Sequence, residues 1–379
     1  MPRRVFITVA EVSGDHNAAT FATALRQLDP AIQIEGLGGA AMSAAGVKLH
    51  FETTARAAMT FHAVARAREV WRWLKWMKAE YARAKPNLHV CVDSSGFNLH
   101  VAKVAKSFGV PVLYYVAPQL WASREGRIRQ LRASVDRLAC IFPFEEQWFR
   151  DRGVNASFVG HPLFDALPPD RLQRSADPPR FPDRPPVIGV IPGSRTSEVK
   201  ANLGRLLLVL QRISREYPGA KYLVPTTHAG HDLVRRAFEA SPLPADAFTV
   251  RRDAFDDLVP RCDLCLTKSG TSTVHVAAYA VPMIVVYRVN PLAWHLAGRW
   301  IVKTRKIAMV NILAGQTDLV PEFIPWAGPV DGVADCALRL LADSEKLRRQ
   351  REQLIDLIEP LARPGAGRNV AEIALSMMR

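Results

Sequence analysis

Short apolar runs rich in β-branched residues alternate with longer helical patterns along this chain. In the first half, Val5–Ala10 leads into a helical pattern from about Asp15 to Leu28, and His89–Val92 leads into another around Leu99–Phe108. Val112–Val116 and Leu138–Phe142 read as further strands. Strands this short and apolar, separated by helices, predict βαβ units around a buried parallel sheet. The character changes between Leu167 and Pro186, where seven prolines (168, 169, 178, 179, 182, 185 and 186) exclude a continuous helix or a central strand. The alternation then restarts. Val187–Ile191, Tyr222–Val224, Leu264–Thr267 and Met283–Tyr287 read as strands, and Leu203–Tyr217 as a helix. The expectation is therefore two doubly wound α/β domains, residues 1–167 and 187–343, joined by a Pro-rich linker over 168–186. Residues 344–379 read as helical and are placed to pack back onto the first domain.

Length and composition agree with two cores: 379 residues with 49% hydrophobic and 23% charged side chains are ordinary for a two-domain globular chain. Charge narrows the partners. Fifty Lys and Arg against 36 Asp and Glu leave +14, a surface that attracts nucleic acid, anionic lipid headgroups or phosphorylated substrates. No zinc-finger spacing, RNP-like aromatic motif or basic-region heptad is present, so no nucleic-acid partner is expected. The apolar run at the N-terminus ends at Glu11, too short for a signal peptide. The longest apolar run, Val276–Tyr287, falls short of a membrane span. A soluble or peripheral protein is the expectation. Five cysteines, with Cys262 and Cys265 as a lone CxxC, suggest buried free thiols rather than a disulfide framework or metal site.

Several residues sit where chemistry is possible. Glu11, in Ala10-Glu11-Val12-Ser13-Gly14-Asp15-His16, follows the first strand, where open α/β sheets bind ligands. No GxGxxG and no Walker lysine occur there. Ser13 and Asp15 have the alternative of capping the next helix. Asp93 follows another strand, where it can either accept a proton from an attacking hydroxyl or cap a helix. Pro192-Gly193-Ser194-Arg195 opens the second domain as strand, loop and helix, an arrangement suited to a phosphate. Lys268-Ser269-Gly270-Thr271-Ser272-Thr273 is a second small-residue loop after a strand, able to hold a diphosphate. His161, just before the hinge, is either structural or a ligand contact. No Asp-x-Asp motif closes a strand, Asp256-Asp257 reads as solvated surface, and neither metal nor cofactor is expected. Trp71, Trp73, Trp76 and Met77 are interleaved with Arg66, Arg68, Arg72, Lys75 and Lys78, and Trp300 lies among Arg299, Lys303, Arg305 and Lys306. Two such helices suit contact with an anionic membrane surface, against the alternative that the tryptophans are core.

These stretches resemble the lipid-A-disaccharide synthases. The similar segments are Glu11-Val12-Ser13-Gly14-Asp15, Tyr115 to Ala122, Phe142-Pro143-Phe144-Glu145, Val159-Gly160-His161-Pro162-Leu163, Pro192 to Arg195 with Glu198-Val199, Ser269-Gly270-Thr271, and Asn311 to Gly315. The resemblance implies a GT-B architecture, two Rossmann-like domains facing across a cleft. It also implies inverting transfer of 2,3-diacylglucosamine from its UDP carrier to the 6-hydroxyl of 2,3-diacylglucosamine 1-phosphate. The enzyme would then be peripheral on the cytoplasmic face of the inner membrane. Carried over by motif, Asp93 is the general base and Glu11 a supporting carboxylate. Ser13, His161, Gly193, Ser194, Arg195, Ser269, Gly270, Thr271, His275 and Asn311 form the nucleotide-sugar set. The chain departs from the family pattern at Gly96 (usually Asp), at Ala63 and His275 (usually Glu), and at Pro325 (usually Gln). A GT-B enzyme using another nucleotide sugar and an inactive membrane-peripheral paralogue are the competing readings.

Overall fold

The computed structural model describes residues 3–54, 63–167, 181–288 and 304–378, with side chains from residue 67 onward in the second range. The segments around Met59–His62, Trp294–Lys303 (with Trp300) and most of the Pro-rich stretch lie outside the described residues, as does the Arg66 side chain. The chain forms two compact units, Met1–Ala166 with Arg363–Arg379, and Leu167–Ala362.

The first unit runs β1 (Arg4–Thr8), α1 (Val12–Leu28), β2 (Gln33–Gly38), α2 (Ala40–Ala44), β3 (Lys48–Glu52), α3 (Ala63–Arg83), β4 (Leu88–Val92), α4 (Ser95–Ser107), β5 (Val112–Tyr115), α5 (Ile128–Ser134), β6 (Arg137–Cys140), α6 (Pro143–Arg150), β7 (Ala156–Phe158) and α7 (Leu163–Ala166). Its seven strands are all parallel in the order β3-β2-β1-β4-β5-β6-β7. The apolar runs read from the sequence are the central strands: every residue of β4 is buried, as are four of the five in β1. α1 covers the sheet through Ala18, Phe21, Ala22 and Leu25, the i, i+3, i+4, i+7 stripe of an amphipathic helix. Each fully buried side chain of Phe or Leu size in that stripe contributes ~1.5–3 kcal/mol.

The second unit runs β8 (Val187–Ile191), α8 (Thr196–Glu216), β9 (Lys221–Thr226), α9 (His231–Glu239), β10 (Phe248–Arg252), α10 (Phe255–Leu258), β11 (Leu264–Lys268), α11 (Ser272–Ala278), β12 (Met283–Val286), α12 (Met309–Leu313), β13 (Glu322–Phe323), α13 (Asp331–Leu341) and α14 (Ser344–Ile358). Its sheet is again parallel, in the order β10-β9-β8-β11-β12-β13. Leu203, Leu206, Leu210 and Ile213 of α8 enter one apolar core with Ile188, Val190, Leu264, Leu266 and Trp326. Phe181, from the end of the Pro-rich stretch, is buried in the same core.

The helical C-terminal segment divides between the units rather than staying together. α14 packs on α11 and α13 of the second unit, while α15 (Ala366–Met377) lies along α1 in the first. Small residues explain the close fit of α15: Ala366, Gly367, Val370, Ala371 and Ala374 are its buried face, and a Cβ on Gly367 would stand 3.0 Å from Thr20 Cγ2. Asp165 caps it, accepting from the backbone N–H groups of Gly365 (2.6 Å), Ala366 (3.0 Å) and Gly367 (2.7 Å).

Candidate functional site

In each sheet the strand order reverses once, between β1 and β4 and between β8 and β11. Ligands of open parallel sheets sit outside the carboxyl ends of the strands at that reversal. Glu11 and Asp93 follow β1 and β4; the 192–195 and 268–273 loops follow β8 and β11. Both candidate loop pairs therefore fall at the reversal of their own unit.

In the first unit, the backbone of Asp93 turns left-handed (φ +50°), as does that of Ser94 (φ +49°). The Asp93 carbonyl accepts from Tyr114 OH at 2.6 Å, and its carboxylate accepts from the N–H of Ser94 at 2.7 Å. Ser94 in turn takes the N–H of Ala10 on its hydroxyl, at 3.1 Å. Gly14 is required by packing: an added Cβ would stand 2.5 Å from Val9 Cγ2 and 3.4 Å from Asp93 Cβ. The Glu11 loop is thereby drawn against Asp93. Burial pushes the Tyr114 phenol well above its usual range, and the negative charges of Asp93 and Glu11 push the same way. Asp93 and Glu11 are both half-buried, and Gly96, three residues beyond Asp93, is exposed. Ser13 is exposed in the first turn of α1. Asp15 is buried and caps α2 rather than its own helix, through Gly39 N at 2.8 Å and Ala41 N at 2.9 Å.

His161 is not gathered with these groups. It follows β7, three strands beyond β4 and so ~14 Å across the sheet. Buried between Phe142 and Phe164, it takes the N–H of Leu163 on Nδ1 at 3.2 Å. These contacts hold the imidazole within the first unit, apart from Asp93 and Glu11.

Glu145, also at the carboxyl edge, is fully buried and accepts from Trp121 Nε1 (3.0 Å) and from the N–H groups of Ile141 (3.2 Å) and Phe142 (3.1 Å). Burial outweighs those bonds and pushes its carboxyl up from 4.5 to about 7. The native state thus binds this proton more tightly than the unfolded chain, and the associated stability is present in full below pH 4.5 and lost as pH rises through 7. Unfolding free energy measured from pH 5 to pH 8 is expected to fall by ~2–3 kcal/mol more in the parent than in Glu145→Gln. Equal slopes for the two proteins would refute this.

In the second unit, Gly193 holds φ +138°, and a Cβ there would stand 2.6 Å from Glu198 Cβ. The N–H groups of Ser194 and Arg195 do not stand open for an anion; they donate to Glu198 Oε2 at 3.1 and 3.4 Å. The other oxygen of Glu198 lies 2.9 Å from Lys268 Nζ and 3.9 Å from Arg195 Nη1. Burial pushes the Glu198 carboxyl up, but Lys268 and the two amides together bring it below the usual range. Lys268 stands 5.1 Å over the Tyr287 ring and 3.3 Å from where a Gly270 Cβ would be. The sequence reading named Lys268 only as part of the 268–273 loop and Glu198 only within a resembling segment, and gave neither a role of its own. The signal for Lys268 was its place as the last residue of β11 beside the reversal, and for Glu198 its place in the first turn of α8. The Arg195 side chain is 65% exposed, Thr271 is exposed, and Gly270 has φ +155°.

Asn311 and Ser269 make bonds within the fold, and Asp256 pairs at the surface. Asn311 is fully buried and committed to the fold, donating to Val320 O (2.9 Å) and Glu322 Oε2 (3.0 Å) and accepting from Val320 N (2.9 Å). Ser269 is buried and its hydroxyl is turned to Ile307 O at 3.3 Å. Asp256 is exposed, as read from the sequence, and also has partners: its Oδ1 lies 2.7 Å from His275 Nε2 and accepts from Tyr279 OH at 2.7 Å, with Phe255 stacked on the imidazole.

α3 divides cleanly. Trp73 (5% exposed), Met77 and Tyr81 face the core, and Trp76 is half-buried against His50 and Phe51, so Trp73 and Trp76 are packing residues rather than membrane contacts. Arg68, Trp71, Arg72, Lys75 and Lys78 form the outer stripe, with Trp71 64% exposed beneath Lys75 Nζ. Among the described residues no helix is long and apolar enough to cross a membrane.

Two Rossmann-like units, each with a loop pair at its reversal point, define the GT-B class of glycosyltransferase fold. Solved structures of the same fold include a Staphylococcus aureus MnaA–UDP co-structure (TM-score 0.65, 12% identity, 100% of this chain and 98% of that one). Acinetobacter baumannii MurG is similar as well (TM-score 0.61, 15% identity, 99% and 100%). At the level of sequence, the family model for lipid-A-disaccharide synthetase matches residues 5–376. Curated lipid-A-disaccharide synthases from Trichlorobacter lovleyi and Geobacter metallireducens are 35% and 34% identical, covering 100% and 99% of this chain and 98% and 97% of their own length. The chain belongs to the lipid-A-disaccharide synthase family of glycosyltransferases.

Proposed function

We propose that this chain joins UDP-2,3-diacylglucosamine to 2,3-diacylglucosamine 1-phosphate and releases UDP. The observation that carries the reading is the pairing of chemistries at the two reversal points. One holds the neighbouring carboxylates Asp93 and Glu11; the other holds Arg195 and Lys268 beside two glycine loops. The acceptor 6-hydroxyl attacks the anomeric carbon while Asp93 takes its proton. The bond from that carbon to the diphosphate oxygen breaks with inversion, and its electron pair leaves with UDP. Glu11 supports the acceptor side electrostatically. Arg195 and Lys268 balance the growing charge on the diphosphate, with Gly193, Ser194, Gly270 and Thr271 lining its approach. The first unit thus serves the acceptor and the second the nucleotide sugar.

The outer stripe of α3 supports contact with an anionic membrane surface, and the reading that goes with the proposed substrates is an enzyme peripheral on the cytoplasmic face of the inner membrane. Basic residues attract the headgroups and Trp71 enters the boundary between headgroup and acyl chain. A turnover assay with both lipid substrates and no added metal tests the whole reading. Disaccharide is expected from the parent in detergent and on anionic vesicles. Trp71→Ser with Lys75→Ser is expected to lose most of the vesicle rate while keeping the detergent rate. No disaccharide from folded protein would sink the activity, and equal vesicle rates would sink the membrane contact.

A further inference from the structure

Two successive non-glycine residues in the left-handed region are uncommon, so the backbone at Asp93 and Ser94 needs a holder. Asn98, in the second turn of α4, has the right geometry. Its fully buried side chain turns Nδ2 toward the carbonyls of Thr8 (3.1 Å), Val92 (2.9 Å) and Asp93 (2.9 Å), its two N–H groups shared among the three. Thr8 and Val92 are the last residues of β1 and β4, the two strands that meet at the reversal point. One amide therefore ties both strand ends to the carbonyl of the candidate base.

The direction of that amide is itself determined. Turned over, Asn98 would set its oxygen against three carbonyl oxygens. In the orientation found, Thr8 Oγ1 donates to Asn98 Oδ1 at 2.7 Å, which leaves Thr8 to accept from His89 Nε2 at 3.0 Å. His89 then has only Nδ1 with which to accept from Tyr81 OH, at 2.5 Å. All four side chains are buried, and burial pushes His89 down to about 3, so it stays neutral and the chain keeps one direction.

We propose that Asn98 is a positioning residue for Asp93, aiming the carboxylate through its backbone, with Thr8, His89 and Tyr81 keeping the amide turned toward the Asp93 carbonyl. This rests on Asp93 being the general base, and the test separates the two claims. The parent, Asp93→Ala, Asn98→Leu, Thr8→Val and Thr8→Ser are compared in detergent for kcat, donor KM, UDP affinity and melting temperature. A reacting group displaced by ~1 Å loses on the order of 100-fold in rate, so Asn98→Leu is expected to lose about that in kcat with donor KM and UDP affinity within about threefold. Thr8→Val, which keeps shape but removes the hydroxyl, is expected to lose about tenfold, and Thr8→Ser to restore most of it. Folded Asn98→Leu turning over within threefold of the parent would overturn the proposal. If Asn98→Leu does not fold, the Thr8 pair decides, and equal rates for Thr8→Val and Thr8→Ser overturn it. An inactive Asp93→Ala beside normal Asn98 and Thr8 variants refutes the positioning alone. An active Asp93→Ala refutes the base and the positioning with it.

Discussion

Asp93→Asn is expected to lower kcat by about 10³-fold while leaving UDP affinity unchanged, as read by single-turnover formation of disaccharide and by UDP titration. The magnitude follows from general-base catalysis, which contributes on the order of 10²–10⁴-fold. Asparagine is the informative replacement because it disturbs little else. It tolerates the left-handed backbone that position 93 requires, and its oxygen can still accept from the N–H of Ser94, now at 2.7 Å. What it lacks is a group to receive the acceptor's proton. Nucleotide affinity should not move, because the groups assigned to UDP, Arg195 and Lys268, belong to the other unit. A variant within tenfold of the parent would mean that the proton goes elsewhere, with Glu11 the next residue to replace.

Gly36→Ala is expected to destabilise the first unit by about 3 kcal/mol, lowering its melting transition by roughly 6–12 °C. Gly36 is the point where β2 shifts register against β3 and lies beside Ile7 of β1. A Cβ there would stand 2.0 Å from Ile7 O, 2.9 Å from Ile7 C and 3.0 Å from Ile7 N. The obstacle is main chain in the centre of the sheet, which no rotamer change can relieve. β1 also leads directly into Glu11, so the strand cannot yield without moving the candidate site. Calorimetry of the alanine variant with an unchanged first-unit transition would show that β1 is more compliant than its pairing implies.

The parts of this molecule that were legible in the sequence are those written as unbroken apolar runs. β1, β4, β5, β6, β8, β9, β11 and β12 were all foreseen, because a run buried on both faces has few polar positions to disguise it. β2 contains two glycines and a glutamate, while β3 and β10 carry exposed or half-buried Lys, His, Glu and Arg, and neither period nor composition marked them. Position relative to strand ends was equally readable, so Glu11, Asp93, Gly193 and Gly270 were located correctly at the sheet edges. Side-chain direction was not. Whether Asn311 points toward a ligand or spends its amide on Val320 and Glu322 depends on a partner nine residues later. Likewise the amides of Ser194 and Arg195 are claimed by Glu198 from within the same helical turn. α3 shows the same limit: its tryptophans alternate between core and surface at a spacing that only the sheet beneath resolves.

The return of α15 to α1 sets an order in time. As the chain is synthesised, residues 1–166 emerge first, and the face of α1 that α15 will cover stays bare while the next 196 residues are made. Asp165 waits equally long for the three amides it caps, some 200 residues downstream. The second unit, contiguous from Leu167 to Ala362, can finish folding before the first is complete. A chain ending just short of residue 363 would therefore hold every residue of the second unit and lack the last helix of the first. A chaperone that recognises apolar surface has its longest opportunity on the unit that was made first.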